Sequence, residues 1–113
     1  MSLELLLPVN KEAILGLSML PKQVIGKNID IHTEESGLPE LKGLQIAIIG
    51  LVEQRNSFFA NAQYDVDQFR REFYELYPGN WKLKIADLGD LPNGEKVKDT
   101  YFAVKEIGFH LKP

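Results

Sequence analysis

The chain has 113 residues, 44% of them hydrophobic and 10% aromatic, enough to bury one core and too few for a second domain. A formal net charge of −3 provides no basic field, which argues against nucleic acid or an anionic membrane as the main partner. Without cysteine there is no disulfide and no thiol chemistry, as suits a reducing, cytoplasmic compartment.

The opening stretch, MSLELLLPVNKEAILGLSML, is interrupted by Glu4, Lys11 and Glu12 and has neither a basic leader nor an unbroken spanning run. It reads as folded chain. Residues 4 to 8 look extended, Asn10 can cap a short helix carrying Ile14, Leu15 and Leu17, and Pro21 ends it. NIDIH, residues 28 to 32, alternates as a half-buried strand does. TEESGLPELKG, residues 33 to 43, has the Gly and Pro punctuation of a linker, so residues 1–43 read as an N-terminal extension with a short helix and a strand.

LQIAIIGLV, residues 44 to 52, is nearly all apolar and rich in β-branched residues, the composition of a central strand covered on both faces. The loop after it contains Glu53, Gln54, Arg55 and Asn56 but no glycine, so it lacks the fingerprint of a phosphate cradle. Asp65 and Gln68 have capping-box spacing, and Val66, Phe69, Phe73 and Leu76 form an apolar stripe at helical period, stopped by Pro78-Gly79. WKLKIADLGD, residues 81 to 90, predicts a second strand ending in a turn. Asn93 is a candidate cap for a last helix striped by Val97, Tyr101, Val104 and Leu111. The β-α-β-α order over residues 44–113 predicts an α/β fold with parallel strands and helices on both faces, a three-layer α/β/α arrangement. Two such strands do not complete a sheet. Either the first 43 residues supply strands or the chain is a piece of something longer, and the second alternative is the one favoured here.

Few residues present a chemistry-bearing pattern. His32, in HTEE, has carboxylate neighbours but not the spaced ligand pairs of a metal site, and reads as a solvated strand end; His110 suits the C-terminal end of a helix dipole. Ser57 and Thr100 lack a histidine partner and a nucleophile-elbow sequence. Asp87 and Asp90 stand at the C-terminal end of a strand, where α/β proteins place ligands, but Asp-Leu-Gly-Asp equally suits a tight turn. Arg55 in the loop after the first strand could hold a carboxylate bidentately, with Asn56 beside it, or could simply be a solvated loop charge. Arg70 and Arg71 read as surface residues paired with Asp67, Glu72 or Glu75 at helical spacings.

Taken together, LKGLQIAIIG, the loop to residue 63, VDQFRREFYEL and KIADLGDLP resemble the opening of the arginase, agmatinase and formimidoylglutamase superfamily, over roughly residues 42 to 113. The closest matches are Phe69-Arg70 and Asp87-Leu88-Gly89-Asp90. The resemblance implies an arginase-like N-terminal part, most similar to the formimidoylglutamase branch. Such a part supplies scaffold and rim loops, with Arg55, Asn56 and Asp90 as substrate-rim residues, and contains no catalytic residue and no metal ligand. Full-length relatives hydrolyse a guanidino or formimino C–N bond with hydroxide held between two Mn²⁺ ions, on ligands in later motifs. This chain departs from the family in its loop, where Phe58 and Phe59 replace glycine-rich sequence and Asp65 stands in the cap region. A different class of function is a self-contained, non-catalytic interaction domain anchored by Phe58, Phe59, Tyr64 and Trp81. An unfinished sheet further predicts self-association, hence a homo-oligomer.

Overall fold

The computed structural model describes residues 2–51, 66–80 and 82–111. Its centre is β3 (Ile85–Leu91), a strand with neighbours on both sides. On one side lies β1 (Asp30–Ile31), paired parallel through Asp30–Ala86 and Ile31–Asp87. On the other lies β2 (Ile46–Leu51), also parallel, paired from Ile46–Ile85 to Leu51–Leu91. The sheet order is therefore β1-β3-β2, in an α/β fold.

The expectation that residues 44 to 52 form the covered central strand is corrected by this order. Among the described residues β2 pairs only with β3, and its burial is partial, with Ile46, Ala47 and Leu51 exposed. The N-terminal part takes the other side of β3. β1 is only two residues long, and beyond its end Leu7 continues the pairing, exchanging both backbone hydrogen bonds with Asp90 at 2.8 and 2.9 Å. Val9 N–H donates to His32 C=O at 2.8 Å, so the segment from Leu7 to Val9 is stitched across the C-terminal ends of β3 and β1. The stretch expected to be extended from residue 4 instead starts with a 3₁₀ turn over Ser2–Leu5.

The pairing register sorts the sheet into two unlike faces. Ala47, Ile49 and Leu51 share one face with Ala86, Leu88 and Leu91. There Ala86, Leu88, Leu91, Leu6 and Ile107 make the apolar core, with Ile49, Ala103 and Leu111 packed against it. The opposite face carries Asp87 and Asp90, and a helix lies on it. The two aspartates reach the same face, although three positions apart, because the β2–β3 register shifts between Ile48 and Gly50, a bulge that inserts one residue of β3. Gly89 takes the positive φ of 95° there, and a Cβ on it would collide with the carbonyl oxygen of Leu7.

The helices form where periodicity places them but turn different sides inward. α1 (Lys11–Ile14) is capped as expected, Asn10 Oδ1 accepting from Glu12 N at 3.0 Å, yet it buries Ala13 and leaves Leu15 79% exposed. α2 (Val66–Tyr74) buries Arg70 and Tyr74; of its expected apolar stripe, Phe69 and Leu76 are exposed and Val66 and Phe73 only half-buried. α3 (Val97–Leu111) buries Thr100 and Ile107 on the side of Ala103 and Leu111, and exposes Tyr101 and Val104. Asn93 is not its cap. Asp99 Oδ2 accepts from Lys96 N at 3.1 Å, and Thr100 Oγ1 accepts from Gly94 N at 2.7 Å, so the start of the helix is closed from within its first turn.

Two glycines separate backbone strain from collision. Gly37 has a φ of 76° with open space where its Cβ would be, so Gly37→Ala should destabilise by about 1 kcal/mol, the left-handed penalty alone. Gly89→Ala adds displacement of the Leu7 segment and should cost at least about 2–3 kcal/mol, both values read from urea unfolding midpoints.

Candidate functional site

At the C-terminal half of β3 lies a buried polar cluster built from two elements. Arg70 on α2 is 2% exposed and reaches Asp87, which is fully buried on the central strand. Its Nε donates to Asp87 Oδ2 at 2.8 Å and its Nη2 to Asp87 Oδ1 at 3.0 Å, a bidentate fork. Nη2 also donates to the Gly89 carbonyl at 3.0 Å, and Nη1 to Asp90 Oδ1 at 2.6 Å. Tyr74, one helical turn after Arg70, donates its hydroxyl to Asp87 Oδ2 at 2.6 Å. Asp87 Oδ1 further accepts from Gly89 N at 3.1 Å, which holds the bulge.

Each group in this arrangement requires the others. A carboxylate removed from water needs its charge balanced and its lone pairs filled, and Asp87 accepts four hydrogen bonds. Burial alone disfavours the guanidinium charge of Arg70. The hydrogen bonds and negative charges of Asp87 and Asp90 outweigh it and push its pKa up, so the guanidinium is permanently charged. For Tyr74, burial comes first and the Asp87 charge and hydrogen bond second, and all three hold the phenol neutral far above the ordinary tyrosine range. Gly50 on β2 completes the geometry: a Cβ there would overlap Asp90 Oδ1 and lie 2.9 Å from Arg70 Nη2. The loss of a side chain on β2 is what lets the ion pair sit flat on the sheet.

Arg70 is thus not a surface residue, contrary to its sequence expectation. The predicted partner Asp67 stays at the margin, 4.0 Å from Nη1, which donates instead to Asp90 at 2.6 Å. Arg71 is exposed as expected. His32 is corrected too. It is 8% exposed, with Nδ1 2.9 Å from the Leu88 carbonyl, which can only accept, so Nδ1 carries the proton and the ring braces β3 beside the bulge. Asp87 serves the β3 bulge, not a strand-ending turn, through Gly89 N and the ion pair through Arg70, and its burial leaves no surface for a ligand. Asp90 is the member that reaches solvent, its side chain 20% exposed. Thr100 is buried as a helix-start partner of Gly94. Arg55, Asn56, Ser57, Phe58, Phe59, Tyr64, Asp65 and Trp81 lie outside the described residues, as do the side chains of Val97 and His110.

Tyr74 is absent from the residues singled out by the sequence, although a signal existed. Arg70 and Tyr74 stand four apart on a helix that precedes a strand bearing two aspartates, a spacing that puts both on one face. Among the described residues no group of three or more histidine and carboxylate side chains could hold a metal ion. The Asp87–Asp90 pair does not fit a manganese either, since Arg70 already occupies the oxygens turned towards it. No described helix is long and apolar enough to cross a membrane. Comparison with known protein families, with curated proteins and with solved structures finds no match to the chain.

Asp87→Ala would leave Arg70 buried with Asp90 and the more distant Asp67, both partly exposed, and should lower unfolding free energy by about 3–5 kcal/mol in urea titrations. Tyr74→Phe should cost about 1.5–3 kcal/mol at neutral pH, the range for a hydrogen bond to a charged group. The pH dependence has a defined sign. The phenol pKa is raised in the folded chain, so its contribution is complete below the ordinary value of 10.0 and is lost as pH rises beyond it, where only the unfolded chain releases the proton. The wild type should therefore lose stability above pH 10 more steeply than Tyr74→Phe in parallel denaturant titrations.

Proposed function

We propose that this chain is the N-terminal scaffold of an arginase-superfamily hydrolase of the formimidoylglutamase type, which acts on the C–N bond of a small guanidino or formimino substrate. The observation that carries the proposal is the pairing of Phe69-Arg70 with Asp87-Leu88-Gly89-Asp90. These segments most resemble the family in sequence, and in space they meet as one buried ion pair on a parallel α/β sheet. Asp90 supports a rim role: it lies at the C-terminal end of β3, reaches solvent, and belongs to a cluster where two carboxylates face one guanidinium, a negative excess suited to a cationic substrate group. Arg55 and Asn56 remain proposed rim residues. In this proposal the metal pair belongs to later polypeptide and the chain binds none of it; the whole protein would work in the cytoplasm.

The proposal expects no hydrolysis of formiminoglutamate, arginine or agmatine by the purified chain supplied with Mn²⁺. Turnover would overturn the assignment of the reactive groups to polypeptide beyond these residues. Reading the coding sequence past Pro113 tests the family itself, since a Gly-Gly-Asp-His-like segment is expected there. A self-contained interaction domain is the second reading, favoured by the exposed aromatic side chains Phe69, Tyr101 and Phe102. A stop codon after Pro113 would favour it over the hydrolase.

A further inference from the structure

Among the described residues, His32 is the buried titratable side chain that the Asp87 cluster does not use. It follows β1 directly and so stands at the C-terminal end of a parallel strand, where open α/β sheets hold their ligands. Its Nδ1 donates to the Leu88 carbonyl, which leaves Nε2 with a bare lone pair. No described group bonds that nitrogen, and it keeps contact with open space. That space is a cleft of about 460 Å³, which the ring lines together with Leu3, Glu4, Leu6 and Leu38. Small-molecule sites run from about 300 to 1,000 Å³, so the volume is that of a ligand site and not of a packing gap. With the ring only 8% exposed, its open acceptor is held in place by packing and by the Nδ1 bond.

We propose that this cleft binds a small aliphatic ammonium compound, whose chain lies on the leucines and whose N–H donates to His32 Nε2. The lining selects that chemistry in three ways. In this tautomer Nε2 only accepts, so the ligand must bring a donor, and a carboxylate or phosphate would set lone pair against lone pair. Leu3, Leu6 and Leu38 are hydrocarbon walls, which reward an apolar body and offer nothing to a polyol. Glu4 adds a carboxylate to the lining and the chain carries a net −3, so the field favours a cation over a neutral alcohol and opposes an anion. The site is also preorganised. The Nδ1 bond sets the ring's orientation and tautomer before any ligand arrives, which removes an ordering cost from binding. The inference stands apart from the hydrolase proposal, since it rests on His32 and the leucines and needs neither a metal nor turnover.

Titration of the chain with hexylammonium in mildly alkaline buffer, followed at the imidazole nitrogens by long-range proton–nitrogen NMR, tests it. Without ligand the His32 ring should show a protonated Nδ1 and a bare Nε2. The Nε2 resonance should then move to saturation, with His110, the other histidine, as reference. 1-Hexanol should bind several-fold more weakly, and hexanoate should not bind. His32→Asn keeps a donor for the Leu88 carbonyl but lacks Nε2, and calorimetry should show hexylammonium affinity reduced about tenfold, as for loss of a hydrogen bond to a charged group. Leu38→Trp fills the cleft from a partly exposed position, and should abolish saturable binding with an unchanged far-UV spectrum. A proton on Nε2, a Nε2 shift that does not saturate, hexanol or hexanoate binding as tightly as hexylammonium, or unchanged binding in either variant would each overturn the proposal.

Discussion

The burial of Asp87 is the constraint on which the rest of the structure depends. A carboxylate with no exposure in the middle strand of a sheet must find a cation and fill its lone pairs, and among the described residues Arg70, Tyr74 and the Gly89 amide do so. Meeting that demand fixes the rotation of α2 about its axis, since Arg70 and Tyr74 must both point down. It fixes the bulge of β3, since Gly89 must turn its amide towards Asp87 and its carbonyl towards Arg70. It also explains why β2 has a glycine where it passes the ion pair.

The two faces of the sheet are consequently held by different physics. One face is closed by area: Leu88, Ala86 and Leu91 against Ile107 and Leu6, a non-directional contact that tolerates small shifts. The other is closed by directed, charged hydrogen bonds, where a shift of one residue would strand a buried charge. Such a face specifies register more sharply than it adds stability, because desolvation offsets most of the attraction. The N-terminal segment exploits that definition. It is sewn to the strand ends through Leu7–Asp90 and Val9–His32, next to the bulge and the His32–Leu88 brace.

Orienting α2 by an ion pair has a cost at the surface. The side of that helix with the highest apolar content is not the side that meets the sheet, so Phe69 and Leu76 are left open. α3 does the same on a smaller scale with Tyr101 and Val104. Among the described residues β2, which carries no charge, is likewise paired on one side only.

Much of this was legible in the residues. Local chemistry determined the Asn10 cap, the existence of α2 and α3, the strand character of residues 46–51 and 85–91, and the parallel α/β class, because caps, periodicity and β-branched runs act over a few neighbours. The turn expected at Asp87–Asp90 is instead a bulge within β3, which runs on to Leu91. What only the tertiary structure decided was which side of each helix faces inward, which strand is central, and who pairs with whom. Hydrophobic periodicity assigns the inward face by counting apolar side chains, and it fails where a buried carboxylate outweighs them, so Arg70 reads as a surface residue until Asp87 is known to lie beneath it. His32 likewise reads as solvated until the Leu88 carbonyl and the crossing N-terminal segment are brought over it. Those contacts join residues far apart in the chain, and no local pattern encodes them.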